Sequence, residues 1–143
     1  QAVNPTIITG LLKEGHIPVV SSIGADDKGQ AYNINADTVA SSLAAALEAK
    51  RILYLTDIEG LRADMEDPES HISEITSSDL QNLIDNGTIS GGMIPKAQAC
   101  LEAVQAGVGS AHMVDGRISH VILLELFTDS GIGTMVLPDQ EKK

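Results

Sequence analysis

The sequence predicts an α/β domain built on a mostly parallel sheet. Two observations carry the prediction. Short apolar runs rich in branched residues alternate with segments whose apolar residues recur at helical spacing, the pattern of strands joined by helices. Gly, Pro, Asn or Asp also punctuates most junctions between them, as turns and helix ends require.

The elements follow in order. Asn4-Pro5 reads as an N-cap followed by proline at the first helical position. Ile7, Ile8, Leu11 and Leu12 then form an apolar stripe, and Gly15 ends the helix. IPVVSSI (17–23) is an apolar run and reads as a buried strand. GADDKGQAYN is a turn-rich excursion with hairpin character. Residues 38–49 carry Val39, Leu43, Ala46 and Leu47 at helical spacing. RILYLTDI (51–58) is a second buried strand, and LRADMEDPESH (61–71) a polar surface loop. SSDLQNLIDNG (77–87) is a helix with Leu80, Leu83 and Ile84 inward and Gly87 as its stop. PKAQACLEAVQAG (95–107) is another, with Ala97, Leu101 and Val104 inward. GSAHMVDG (109–116) and GTMVL (133–137) read as strands. HVILLELF (120–127) fits either state by periodicity.

Composition narrows the function. A chain of 143 residues suits one domain or a piece of a larger one. It opens on QAVNP, as a fragment or a processed form would. Nine Lys and Arg stand against twenty Asp and Glu, a net charge of −11. That argues against a nucleic-acid surface but not against a nucleotide, which needs only one or two well-placed cations. No apolar run approaches the ~20 residues of a membrane helix, and there is no secretory signal. Cys100 is the sole cysteine, compatible with a reducing compartment, and its place on the inward face of 95–107 makes it core rather than nucleophile. His16, His71, His112 and His120 lack metal-ligand spacing, so no protein-held metal is expected. With one Phe and two Tyr, aromatic stacking of a base is not expected.

Three clusters fall where strands give way to helices, the usual ligand position in such a sheet. In NINAD, alternation puts Asn33, Asn35 and Asp37 on one side, although Asp37 also reads as a plain N-cap. In TDIEGL, Asp57 and Gly60 suit a ribose or a phosphate, or simply a turn. In ISGGMIPK, Gly91 and Gly92 allow close backbone approach, and Lys96 follows at a helix mouth. A cation there opposes the helix dipole unless an anion sits nearby, and phosphate is the obvious anion. The bland alternative is a loop entering a helix at Pro95. No Walker A or G-x-G-x-x-G fingerprint is present.

Taken in order and spacing, NINADTVA, LTDIEGL, ISGGMIPK, AHMVDGR and LLELFTDSGIGT resemble the acetylglutamate kinases of the amino acid kinase family, over nearly the whole chain. The resemblance is to the C-terminal half only. It implies a three-layer sandwich of the carbamate kinase-like fold, residues 1–143 being the ATP-binding lobe, with the N-terminal substrate lobe absent. It implies transfer of the γ-phosphoryl group of ATP to the side-chain carboxylate of N-acetyl-L-glutamate in arginine biosynthesis, with Mg²⁺ accompanying the ATP. Lys96 would stabilise the phosphoryl group, Asp37 would hold the catalytic lysines, and Asn33 would bind the acyl substrate. Asp57, Ile58, Glu59, Gly60, Leu61 and Arg62 would line the nucleotide, with Thr88, Ile89, Ser90 and Met93 on its adenine side. His112, Glu125 and Gly131 fall where feedback-inhibited members bind L-arginine. From the residues alone, Glu125 pairs internally with Arg117 or a lysine, and His112 is a satisfied core histidine. A cytoplasmic homo-oligomer, without nucleic-acid or membrane partners, is expected. The alternatives are another amino acid kinase, such as a glutamate 5-kinase or aspartokinase, and an inactive nucleotide- or arginine-binding module. This chain alone is expected to turn over little or nothing.

Overall fold

The computed structural model of the chain describes residues 3–64, 67–129 and 131–139. Helix α1 spans Thr6–Lys13. Pro5, not Asn4, is its N-cap, the Pro5 carbonyl accepting from the Thr9 amide at 2.8 Å, while Asn4 Oδ1 accepts from the Thr6 amide at 3.1 Å just ahead of the helix. Gly15, at φ 81°, turns the chain out of the helix. Strands β1 (Ile23–Ala25) and β2 (Ala31–Asn33) form the hairpin that the turn residues announce. Asp26 nucleates it by accepting from the amides of Lys28 and Gln30, both at 2.9 Å.

The expected strand over 17–23 does not form. Residues 17–22 are not in a strand, and Ile17 and Val19 are 90% and 96% exposed. An apolar run is buried only where a second surface covers it, and among the described residues none does.

Helix α2 (Ala36–Ala46) follows, then β3 (Ile52–Thr56). The predicted loop over 61–71 is instead a small hairpin of β4 (Leu61–Arg62) and β5 (His71–Ile72), closed by a 3-10 turn at Pro68–Ser70. Leu61, fully buried, anchors it, which the surrounding charges hide in the sequence. Of that stretch, Met65 and Glu66 lie outside the described residues. The rest is β6 (Glu74–Thr76), α3 (Ser77–Asp85), α4 (Ile94–Gln105), β7 (Ala111–Asp115), α5 (Val121–Phe127) and β8 (Thr134–Leu137). The ambiguous 120–127 segment is thus helical.

The main sheet runs β3-β7-β8-β6. The β3–β7 and β6–β8 pairs are parallel and β7–β8 is antiparallel. Every residue of β7 is buried. Its alternating side chains divide between two layers. Ala111 and Met113 join Leu80, Ala97, Cys100, Leu101 and Val104 in the core under α3 and α4, while His112 meets α5 through Glu125. Each large aliphatic side chain fully buried there contributes about 1.5–3 kcal/mol. Burial also pushes the Cys100 thiol up to about 12, as befits an inert core residue.

Candidate functional site

Because β3 and β7 are parallel neighbours with Thr56 opposite Asp115, their C-terminal ends open side by side. Beyond β3 the chain turns through Asp57 to Gly60. The Thr56 hydroxyl shapes the turn, accepting from the Ile58 amide and donating to the Ile58 carbonyl, both at 3.1 Å. Gly60 has φ 139°, and a Cβ there would lie 2.7 Å from both His71 and the Thr134 hydroxyl, so only glycine fits. At this corner a cavity of about 210 Å³ is lined by Ile58, Glu59, Gly60, Arg62, Met93 and Arg117.

Helix α4 starts beside the cavity. Gly91, at φ 60°, leads into a 3-10 turn over Gly91–Met93, and Pro95 sits in the first turn of α4. Lys96 then forms an ion pair with Asp57 through Nζ and Oδ1. That hydrogen bond above all, with the lysine's charge adding to it, holds the Asp57 carboxyl below its ordinary value. The anion that the sequence demands beside Lys96 is therefore a carboxylate of the protein itself.

The other expected site residues divide. Leu61 and Ile89 are 0% and 1% exposed, so their side chains belong to the core and only their backbones remain for a ligand. The Leu61 amide is already engaged, donating to the Thr134 hydroxyl at 2.8 Å. Thr88 is half-buried and Ser90 exposed, and neither lines the cavity. Asp37 is not an N-cap. Asn35 caps α2, accepting from the Thr38 amide at 3.1 Å, which leaves the Asp37 carboxylate available. Asp37 lies with Asn35, Thr38, Pro95, Gln98 and Glu102 in a second cleft, of about 180 Å³. Met93 lines the first cavity and Pro95 the second, so the start of α4 divides them. Among the described residues no ion pair joins Asp37 to Lys96. Asn33 is exposed in β2, paired across the hairpin with Ile23.

Arg117 is the cavity residue that sequence reasoning missed. AHMVDGR pointed at this strand end, but its arginine was read as a partner for Glu125. Instead Arg117 binds Asp115, with Nε to Oδ1 at 2.8 Å and Nη2 to Oδ2 at 2.7 Å. The Arg117 backbone amide adds a bond to Oδ1 at 2.9 Å. The guanidinium bonds, followed by the amide, hold Asp115 down to about 2 from an ordinary 3.8. A carboxyl whose folded pKa is depressed adds stability that is complete above its unfolded pKa and disappears as pH falls through the folded one. Urea unfolding between pH 5 and 2 is thus expected to show stability falling below about pH 4. Asp26, Asp57 and Asp139 shift in the same direction, so the signature of Asp115 is a shallower pH slope in Asp115→Asn. An unchanged slope would detach Asp115 from the acid limb.

A third cavity, of about 270 Å³, lies on the α5 side of the sheet. His112, Glu125 and Gly131 line it together with Arg51, Ser73, Glu74 and Asp129. His112 is held at both ring nitrogens, Nε2 by the Ser110 hydroxyl at 2.9 Å and Nδ1 by Glu125 at 2.7 Å. Glu125 also accepts from the amides of Ile132 at 2.8 Å and Gly133 at 3.0 Å. Burial pushes the Glu125 carboxyl up, but the hydrogen bonds from His112 and the two amides outweigh it and leave it below its ordinary value. Its partner is thus His112 and not Arg117. Gly131 has φ 61°, and a Cβ there would stand 2.7 Å from Glu125 Oε2.

No group of three or more His, Cys, Asp and Glu able to hold a metal occurs among the described residues. No described helix is long and apolar enough to cross a membrane.

Comparison with known proteins bears on the family and the fold. The family model described as the amino acid kinase family matches residues 1–115. Acetylglutamate kinase of Desulforamulus reducens is 51% identical over 137 residues, covering 96% of this chain and 48% of the relative. That of Synechococcus sp. (strain WH7803) is 53% identical over 135 residues, covering 94% and 46%. The chain spans about half the length of the curated relatives it matches. Among solved structures, N-acetylglutamate synthase from Neisseria gonorrhoeae, complexed with coenzyme A and L-arginine, superposes with a TM-score of 0.85 at 22% identity over 96% of this chain and 31% of that one. Carbamate kinase from Giardia lamblia bound to AMP-PNP gives 0.68 at 22% identity, over 96% and 45%. These two share the fold. With the family model spanning most of its length, the chain belongs to the amino acid kinase family.

Proposed function

We propose that the chain supplies the nucleotide-binding part of an enzyme that phosphorylates the side-chain carboxylate of N-acetyl-L-glutamate with ATP. The observation that carries the reading is the cavity at the ends of β3 and β7, with Arg62 in its wall and the Asp57–Lys96 pair at its side. The relatives named acetylglutamate kinase, about half identical to this chain, support the acceptor.

In the proposed reaction an oxygen of the acceptor carboxylate attacks the γ-phosphorus, the bond to the bridging oxygen breaks, and ADP leaves with that electron pair. The products are an acyl phosphate and ADP. Such a transfer asks the protein for positioning and charge stabilisation. Lys96 leaves Asp57 for the phosphoryl oxygens and offsets their growing charge. Asp37, across the start of α4, holds the catalytic lysines, Lys96 once it leaves Asp57 and the lysine expected from the other half. Ile58 and Met93 give the base an apolar floor without aromatic stacking. Magnesium, arriving with the nucleotide, would supply charge neutralisation. The donor set fits such a shared ion: Asp57 and Glu59 flank the cavity, but no described cluster would hold a metal unaided. By itself this chain is expected to turn over little or nothing.

An acceptor panel in the complete enzyme tests the reading, with the acyl phosphate trapped as its hydroxamate. N-acetyl-L-glutamate is expected to exceed L-glutamate and L-aspartate in kcat/KM by more than about tenfold, the scale set by losing matched polar contacts. Preference for either free amino acid would move the protein to a glutamate 5-kinase or an aspartokinase. A folded protein that binds nucleotide and phosphorylates none of them would be a binding module.

A second reading concerns the third cavity, which we propose as a site for L-arginine acting as an inhibitor. Three acidic residues, Glu74, Glu125 and Asp129, against one arginine, Arg51, around one polar cavity suit a guanidinium ligand. Glu125 would serve mainly as the anchor of the site, since its oxygens already hold His112 and two amides.

A further inference from the structure

We propose that Arg117 is a phosphate-binding residue, its guanidinium fixed by Asp115 so that the remaining edge meets the polyphosphate of the bound nucleotide. The inference rests on the nucleotide reading above and adds a residue to it.

Three observations carry it. Arg117 lines the same cavity as Gly60 and Arg62. Its Nε and Nη2 are spent on Asp115, whereas Nη1 has no protein partner among the described residues. And its position at the end of β7 adjoins the end of β3, where Asp57 and Lys96 stand; the Gly116 amide ties the two ends by donating to the Thr56 carbonyl at 2.9 Å. Arg117 therefore sits on the Lys96 side of the cavity, where phosphates rather than the base would lie.

The alternative is a structural role in closing the turn after β7. Backbone bonds already do that, from the Arg117 amide to Asp115 and from Gly116 to Thr56. The guanidinium is not needed for it. An arginine side chain 68% exposed is ordinarily mobile, yet this one is clamped by a carboxylate that is 6% exposed. Clamping removes rotamer freedom before binding, so less is lost when an anion arrives. Two guanidiniums on the walls of one cavity also repel each other. Glu59 offsets Arg62, at 3.0 Å, and Asp115 offsets Arg117, so a polyanion in the cavity would share both guanidiniums with their carboxylates.

The test is calorimetric titration of the complete enzyme with AMP, ADP and ATP, for wild type and Arg117→Gln, with thermal unfolding as a check on folding. Arg117→Gln is expected to weaken ADP and ATP by about tenfold or more, the effect of losing a charge-assisted hydrogen bond, and AMP by clearly less. The salt dependence of ADP binding should flatten in the variant, since a cation–anion contact is gone. Equal loss across the three nucleotides, or none, overturns the phosphate role while leaving the nucleotide reading intact. Failure of the folded wild-type enzyme to bind any of the three overturns both. Arg117→Lys keeps the charge but loses the fork that Asp115 grips. It is expected to recover only part of the ADP affinity, and full recovery would show that the clamp is irrelevant.

Discussion

Replacing Lys96 by alanine in the complete enzyme is expected to lower kcat by at least about a hundredfold, the usual effect of removing a charge-stabilising group from a transition state. Its partner sharpens the expectation. The Lys96 ammonium sits in the first turn of α4, where the helix dipole disfavours a cation, and the Asp57 carboxylate offsets that cost. When phosphates enter, the ammonium gains a second set of anionic partners close by and needs no long excursion. Removal should therefore depress kcat more than it raises KM, because the interaction strengthens as charge builds on the transferring oxygens. Lys96→Ala should also let the Asp57 carboxyl rise toward its ordinary value, since the lysine is the main cause of its depression. A titration of Asp57 thus separates loss of the ion pair from general misfolding. An unchanged kcat would remove Lys96 from the chemistry.

The second large effect concerns stability. Gly133→Ala is expected to destabilise the chain by about 3 kcal/mol or more, the upper range for forcing atoms into a packed interior. A Cβ at Gly133 would collide with the Met113 carbonyl oxygen and stand 2.6 Å from Val114 Cγ1. Neither neighbour can move cheaply. Met113 pairs directly with Thr134 across the antiparallel β7–β8 ladder, and all of β7 is buried. The same residue donates its amide to Glu125, so relaxation would also strain the His112–Glu125 pair. Urea unfolding of wild type and variant provides the check. A loss under about 1 kcal/mol would mean that β8 shifts freely against β7. Gly92→Ala is a fair control, because nothing lies within 4 Å of its Cβ position and its φ is not positive.

Local patterns announced much of this architecture. Helices α2, α3 and α4 sit where apolar spacing put them, to within a few residues, and β3, β7 and β8 follow from their branched apolar runs. The misses are tertiary. IPVVSSI carries every mark of a buried strand, but burial depends on what lies across from it. The hairpin of β4 and β5 is too short for periodicity to show, and it forms because Leu61 is drawn into the core and because Thr134 holds its amide. At the site, TDIEGL and ISGGMIPK were each legible as a loop where a strand ends or a helix begins, but not that the two meet. That Lys96 would choose Asp57 rather than Asp37 depends on how α4 leans on β3, which spacing cannot encode. Arg117 was hidden for a similar reason: a guanidinium two residues beyond a strand looks like any surface arginine until Asp115 is seen to grip it.

Thr134 carries a last consequence. Its hydroxyl takes the Leu61 amide beside the first cavity and gives its proton to the Ile72 carbonyl at 2.6 Å. One residue earlier, the Gly133 amide holds Glu125 in the third cavity and its carbonyl meets His71 at 3.0 Å. The Gly133-Thr134 dipeptide thus holds, by hydrogen bonds, both Leu61, next to Gly60 and Arg62 of the first cavity, and Glu125 of the third. A ligand that shifted this dipeptide from one cavity would be linked to binding in the other. Whatever factor one imposes on the affinity of the other through this shared hinge-pin, the other must return in equal measure.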